Sequence, residues 1–263
     1  MPLTSALVNH ERDCGLALDV AGLLAKLSDV SIMNPSQRKP EVLFGNVVVG
    51  NVPRVVGTVS TADGMKVIGG ASAPACDIVE LRLDKIGVTV PAAGKPGVPV
   101  LLTIRISREG GDFSGNETAR RGEFLRAMPH GDAIDVEYRS ALLPELSRAA
   151  RGAGKALVVS YHDFLKTPPS DDLRRIVSSC VFHMPCVVKI ATMTHSAGDV
   201  DRLRQLLEER WPVPLCVIAM GDAAAGTREE FARLGSCLTY GYLDQPVAPG
   251  QVSAAELRAK LSA

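Results

Sequence analysis

The 263-residue sequence has no stretch long and apolar enough to span a bilayer. It also lacks a signal-peptide pattern, because Glu11, Asp13 and Asp19 interrupt the short apolar segments of its N-terminus. A cytoplasmic location is therefore the expectation. Excess charge is missing as well: Lys plus Arg and Asp plus Glu both total 29. Bulk electrostatics then argue against nucleic acid or an anionic membrane as partner, and any anion must be recognised locally. No CxxC pair occurs among Cys14, Cys76, Cys180, Cys186, Cys216 and Cys237, and most of these sit in or beside apolar runs, which reads as buried reduced thiols. Cys180, His183 and Cys186 lie close together, but no fourth ligand follows at a typical zinc spacing, so no metal site is expected. A G-x-G-x-x-G after the first strand and a Walker loop are both absent, which argues against the common dinucleotide and P-loop folds. Aromatics are few, whereas Val, Leu, Ala and Gly abound, a composition suited to a parallel sheet with tight turns.

From about residue 54 the chain alternates short β-branched runs with amphipathic helical stretches, eight times over. The strands are expected at Val55 to Ser60, Asp77 to Asp84, Pro99 to Arg105, Ala133 to Arg139, Ala156 to His162, Val187 to Ala191, Pro214 to Met220 and Leu238 to Leu243. Helix starts are expected at Ser170, at Thr227 with a capping-box spacing to Glu230, and at Ser253; Ala197 to Arg210 carries Val200, Leu203 and Leu207 at helical spacing. Eight such units predict an α/β fold, a (β/α)8 TIM barrel, for which about 250 residues are typical. Residues 1–45 stand outside this rhythm and are read as an N-terminal extension to a catalytic barrel over 46–263. Phe44 to Arg54 reads as a β-hairpin closing the barrel floor, with Gly50-Asn51 at its turn.

A β/α-barrel carries its chemistry at the C-terminal ends of its strands. Strand two ends in Glu80-Leu81-Arg82-Leu83-Asp84, whose three charges share one face if the strand continues. Arg105 ends strand three and is followed by Glu109-Gly110-Gly111. Asp135, Glu137 and Arg139 fall on one face of strand four, and strand five ends in Ser160-Tyr161-His162-Asp163. Strand six reads Val187-Val188-Lys189-Ile190-Ala191. Burying an ammonium is costly, and a desolvated lysine amine is a nucleophile, yet the strand alone leaves open a lysine snorkelling from its end. Arg228 follows strand seven and Ala248-Pro249-Gly250-Gln251 follows strand eight. Arg82, Arg105 and Arg228 at one mouth would suit an anionic, hydroxyl-bearing substrate.

Together E-L-R-L-D, T-I-R with R-E-G-G, S-Y-H-D-F, V-K-I-A and A-P-G-Q resemble, in order and spacing, the type I 3-dehydroquinate dehydratases of the shikimate pathway, from about Val47 to Ser262. The resemblance implies that Lys189 forms an imine with the substrate ketone, that His162 is the general acid and base, and that Glu109 orients that histidine. It places Glu80, Arg82, Arg105, Arg228 and Gln251 on the substrate, and Val247 at a substrate-binding position where the family often has a serine. It further implies a syn elimination of water from 3-dehydroquinate, no metal or cofactor, and a homodimer. No fused shikimate dehydrogenase is expected. Two other readings share some of these features: a class I aldolase-like barrel using the same lysine, and a barrel retained only for binding.

Overall fold

Alternation within each β-branched run decides which side chains line a barrel and which pack under its helices. A computed structural model of the chain describes residues 39–68, 74–87, 97–246 and 251–262. A two-stranded antiparallel hairpin, β1 (Val42–Phe44) and β2 (Val47–Val49), precedes eight parallel strands. These are β3 (Arg54–Val59), β4 (Ile78–Arg82), β5 (Val100–Thr103), β6 (Ala133–Glu137), β7 (Ala156–Asp163), β8 (Val187–Met193), β9 (Leu215–Met220) and β10 (Leu238–Tyr242). They hydrogen-bond in the order β10-β3-β4-β5-β6-β7-β8-β9. The two ends of that order meet where Cys237 N donates to Leu215 O at 2.8 Å and the Cys216 thiol donates to Leu238 O at 3.3 Å. The expected (β/α)8 barrel is the fold observed.

Helices fill the crossovers: α1 (Gly64–Ile68), α2 (Leu83–Ile86), α3 (Glu117–Ala127), α4 (Leu143–Gly152), α5 (Ser170–Val181), α6 (Ala197–Glu208), α7 (Thr227–Arg233) and α8 (Ala254–Ser262). Local chemistry sets their starts. Asn116 caps α3 by accepting from Ala119 N, Ser196 and Asp199 form a reciprocal capping box on α6, and Ser253 accepts from Glu256 N ahead of α8. The capping box expected at Thr227 does not form. Gly226, in the left-handed region at φ 78°, is the cap residue, and Thr227 is already helical, donating to Ala224 O. Ser170 is likewise the first helical residue of α5 and makes no capping bond.

Outward residues such as Val79, Leu81, Val136, Val159 and Ile190 join the helices in one apolar layer. Inward residues near the strand starts, including Val56, Ile78, Leu101, Ala133, Val158 and Val187, form a second apolar cluster inside the barrel. Phe44 and Val49 of the hairpin belong to that cluster, so the hairpin plugs the floor as expected. Its position differs from the expectation: the turn is at Gly45-Asn46. Gly45 has φ 60°, and a Cβ there would lie 2.9 Å from Pro99. Gly50-Asn51 instead belongs to the loop leading into β3. Asn51 Oδ1 accepts from Lys39 N at 2.9 Å, and its amide donates back to Lys39 O at 3.2 Å. Leu16 to Leu27, whose apolar pattern suits a short amphipathic helix, lies outside the described residues. Among the described residues no helix is long and apolar enough to cross a membrane.

Candidate active site

Above the apolar floor the inward face of the strands turns polar within one or two residues. β4 continues from Ile78 to Glu80 and Arg82, β6 from Ala133 to Asp135 and Glu137, β7 from Val158 to Ser160 and His162, and β8 from Val187 to Lys189. Register brings them side by side: Thr58 lies opposite Glu80, and Ser160 opposite both Glu137 and Lys189. All of these side chains are buried, so partners must offset their desolvation. Glu80 accepts from Thr58 Oγ1 at 2.9 Å and from Thr103 Oγ1 at 2.8 Å, one threonine from each flanking strand.

Lys189 points into the barrel and does not snorkel outward. Its ammonium lies 3.4 Å from Asp135 Oδ2 and 4.1 Å from the centroid of the Tyr240 ring, which provides a cation–π seat. Asp135 Oδ1 meanwhile binds Arg105 NH2 at 2.8 Å and accepts from Ser160 Oγ at 2.5 Å. Burial would raise the Asp135 carboxyl, but Arg105 and Lys189 overcome it and hold the group below the usual carboxylate range. The hydroxyl of Tyr240 is buried without a hydrogen-bond partner among the described residues.

His162 Nδ1 lies 3.1 Å from Glu109 Oε2. Glu109 sits on a single 3-10 turn, Ser107–Glu109, closed by Gly110 at φ 77°. A Cβ at Gly110 would collide with Phe164, whose ring stacks on His162 at a 6.4 Å centroid distance and 14°. The S-Y-H-D-F and E-G-G motifs are thus two sides of one contact. Burial, then the charges of Arg105, Lys189 and Arg82, push the imidazole well below its ordinary value, so it is neutral near pH 7. Burial also raises the Glu109 carboxyl to about 7, against the pull of Arg105 and with a further push from Glu137. The second Glu109 oxygen is buried without a partner among the described residues.

Arginines border this core. Arg82 forks onto Asp84 at 3.0 and 2.7 Å and reaches Gly110 O at 3.3 Å. The expectation that Glu80, Arg82 and Asp84 share a strand face is corrected: β4 ends at Arg82, and Asp84 is in α2, folded back to chelate the arginine. Arg139 also leaves its expected face. β6 ends at Glu137, and the Arg139 guanidinium lies 4.5 Å above the Tyr161 ring, on the helix side. Arg228, near the start of α7, donates to Tyr240 O at 3.2 Å, and burial lowers its pKa. No carboxylate among the described residues pairs with it. Gln251 is half-buried, beside Val252, whose carbonyl accepts from Tyr242 N at the end of β10. Val247 lies outside the described residues.

Sequence reasoning left Asp135, Ser160, Thr58, Thr103 and Tyr240 without roles. Two-residue alternation from Lys189 and His162 along their own strands and neighbours was the available signal for Asp135 and Ser160. Cys180 packs under the helices and Cys186 inside the barrel, on opposite sides of the sheet. No group of three His, Cys, Asp or Glu side chains among the described residues is placed to hold a metal. Cys76, Cys180, Cys186, Cys216 and Cys237 are buried, no disulfide joins any of them among the described residues, and burial pushes Cys76, Cys180 and Cys216 up to about 12. Cys14 lies outside the described residues.

The chain matches the model of the type I 3-dehydroquinase family over residues 55–263. It is 36% identical over 211 residues to a 3-dehydroquinate dehydratase of Methanocella arvoryzae, covering 78% of this chain and 94% of that protein. A 3-dehydroquinate dehydratase of Aquifex aeolicus is 33% identical over 195 residues, with 69% of this chain and 84% of that protein covered. Among solved structures, the 3-dehydroquinate dehydratase of Geobacillus kaustophilus aligns with a TM-score of 0.77 at 27% identity, covering 86% of this chain and 96% of that one.

Proposed function

The chain belongs to the type I 3-dehydroquinase family and catalyses the loss of water from 3-dehydroquinate, and from that premise we propose that it works through an imine at Lys189 with His162 as acid and base. The reaction is that of a hydro-lyase in the shikimate pathway. The observation that carries the mechanism is the shared inward face: the Lys189 amine, paired to Asp135, and the His162 imidazole, paired to Glu109, are both buried on adjacent strands.

In the proposed sequence the unprotonated Lys189 amine attacks the ketone carbon. The carbinolamine oxygen takes up the proton that the Lys189 ammonium gave up before attack and leaves as water, so a protonated imine remains. That cation is an electron sink, so the neighbouring C–H becomes acidic. Glu109 engages Nδ1 of His162, which leaves Nε2 to take the proton. The resulting enamine pushes out the β-hydroxyl, which departs as water with the proton His162 carries. Water then hydrolyses the imine, releasing 3-dehydroshikimate and the free amine. Removal and return of the proton by one imidazole accounts for a syn geometry. The mechanism calls on no metal and no organic cofactor, since amine, imidazole and carboxyl supply nucleophile, base and orienting group.

Arg228 takes the substrate carboxylate. It is a guanidinium without a carboxylate partner among the described residues, and its desolvation favours an incoming anion. Glu80, Arg82, Arg105 and Gln251 hold the hydroxyls and ring, and Val247 replaces a hydrogen-bonding lid residue with an apolar contact. A homodimer in the cytoplasm completes the proposal, with the family resemblance as its support. Sedimentation showing only monomer at assay concentrations would remove the dimer.

Borohydride reduction in the presence of 3-dehydroquinate is the decisive test. One reduced adduct should appear, and peptide mapping should place it on Lys189. Lys189→Ala should show neither adduct nor turnover. An adduct on another lysine, or full turnover by Lys189→Ala, would sink the mechanism.

A further inference from the structure

The ion pairs around Lys189 continue through the barrel wall. Asp135 joins Lys189 to Arg105. Arg105 NH1 lies 3.3 Å from Glu137 Oε1 and donates to Ser160 Oγ at 2.8 Å. Glu137 Oε2 in turn lies 2.7 Å from Arg120 NH1. Arg120 is on α3, outside the barrel, at the start of its inward stripe of Arg120, Phe124 and Ala127. An apolar residue would ordinarily fill that place. The guanidinium there is fully buried and is also held by Ile104 O, Glu117 and Ser140. The result is a chain of alternating charge, Lys189, Asp135, Arg105, Glu137 and Arg120, in which each carboxylate spends one oxygen on each neighbouring cation.

We propose that Arg120 is a positioning residue for this reaction: through Glu137 it holds the guanidinium of Arg105 in place against Lys189 and His162. The inference rests on the mechanism above. Stability is a poor explanation for the arrangement, because well-packed apolar residues often replace buried ion networks at no loss. Position is a better one. Arg105 is clamped between two carboxylates and stays closer to Asp135, at 2.8 Å, than to Glu137, at 3.3 Å, because Arg120 already occupies the far oxygen of Glu137. Without Arg120, Glu137 keeps only Arg105 and Ile106 N as partners. Arg105 is then drawn outward, Asp135 is left to Lys189 and Ser160 alone, and less positive charge faces His162. The charged groups facing that imidazole are Glu109, Arg105, Lys189 and Arg82, with Arg139 donating to its backbone carbonyl.

The test uses Arg120→Met, Arg120→Lys and Arg120→Met with Glu137→Gln, each first compared with the parent for its unfolding midpoint. Arg120→Met should lower kcat by about tenfold to a hundredfold while KM stays within about threefold. The acid limb of kcat/KM should move to higher pH, because His162 loses a repelling charge. Arg120→Lys keeps the charge but not the fork, and should lose only about threefold in kcat, with a smaller displacement of the limb. Glu137→Gln added to Arg120→Met should cost little more, since both changes break one link. Parental kcat and pH profile in Arg120→Met would overturn the proposal, as would multiplying losses in the double variant or equal losses in the Met and Lys variants. If Arg120→Met does not fold, Arg120→Lys decides alone: a lowered kcat with a displaced limb supports the proposal, and parental values overturn it. Failure of the underlying mechanism shows separately, as a missing borohydride adduct on Lys189 of the parent.

Discussion

Glu109 and His162 are moved by the same burial in opposite chemical senses, and their pH dependence follows. The Glu109 carboxyl rises to about 7 from its ordinary value of 4.5. Between those values the folded protein keeps a proton that the unfolded chain has lost, so this group's contribution to stability is full below 4.5 and disappears as pH rises through about 7. His162 works the other way. Its folded value is depressed below 6.5, so the unfolded chain takes up a proton first as pH falls, and stability is lost below 6.5. Glu109→Gln removes the first effect alone. The stability of the parent relative to this variant should therefore fall by on the order of 2 kcal/mol from pH 5 to pH 7.5. Urea midpoints at the two pH values check this, and parallel curves for parent and variant would contradict it. The catalytic corollary is that an ionised Glu109 accepts from Nδ1–H of a neutral imidazole, which leaves Nε2 open to act as the base.

At the scale of elements, the alternation and its closure into a barrel were legible, whereas the caps expected at Ser170 and Thr227 did not form. The eight strands stand where the β-branched runs put them, because period-two burial on both faces leaves little freedom of register. Their ends were harder to read. Asp84 and Arg139 continue the polar alternation of their strands, but each turns away to satisfy a partner, Arg82 or Tyr161, that the linear pattern does not reveal. The floor hairpin shows the same limit. Two Gly-Asn pairs compete for its turn, Gly45-Asn46 and Gly50-Asn51, and the choice is made by Pro99 beside one and Lys39 beside the other. The hairpin's function is nonetheless plain from its packing: Phe44 is fully buried among strand starts, at the end of the barrel opposite the chemistry. Phe44→Ala should cost about 3–5 kcal/mol in unfolding free energy, and the folded variant should keep the parental kcat. A loss in kcat larger than the loss of folded protein would show that floor packing reaches Lys189.

Across the whole molecule, one gradient organises the barrel: apolar at the floor, charged in the middle, arginine-bordered above. That Lys189 and His162 stand near strand ends was readable from the local pattern, and the roles given to them and to Glu109 come from the family resemblance. The pairing of Asp135 with both Lys189 and Arg105, and its extension to Arg120, was not readable, because it joins residues from three separate βα units. The N-terminal boundary is also a whole-molecule question. Lys39 donates to Leu207 O at 2.9 Å and to Leu234 O and Gly235 O at 3.2 Å, gathering the C-terminal ends of α6 and α7. It does so from a half-buried position, where burial lowers its pKa. Two truncations separate the extension from the plug. Removing residues 1–38 leaves Lys39, β1 and every described contact in place, so kcat and the unfolding midpoint should match the full chain. Removing residues 1–45 also deletes Lys39 and Val42–Phe44. That takes away three helix-end hydrogen bonds, worth about 1 kcal/mol each, along with the buried Phe44. The longer deletion should therefore lose several kcal/mol of stability, on the order of a domain's whole margin, and yield little folded enzyme. Equal yields and midpoints for the two truncations would mean that the barrel closes without its plug, and loss of activity on removing 1–38 alone would assign those residues to the working enzyme.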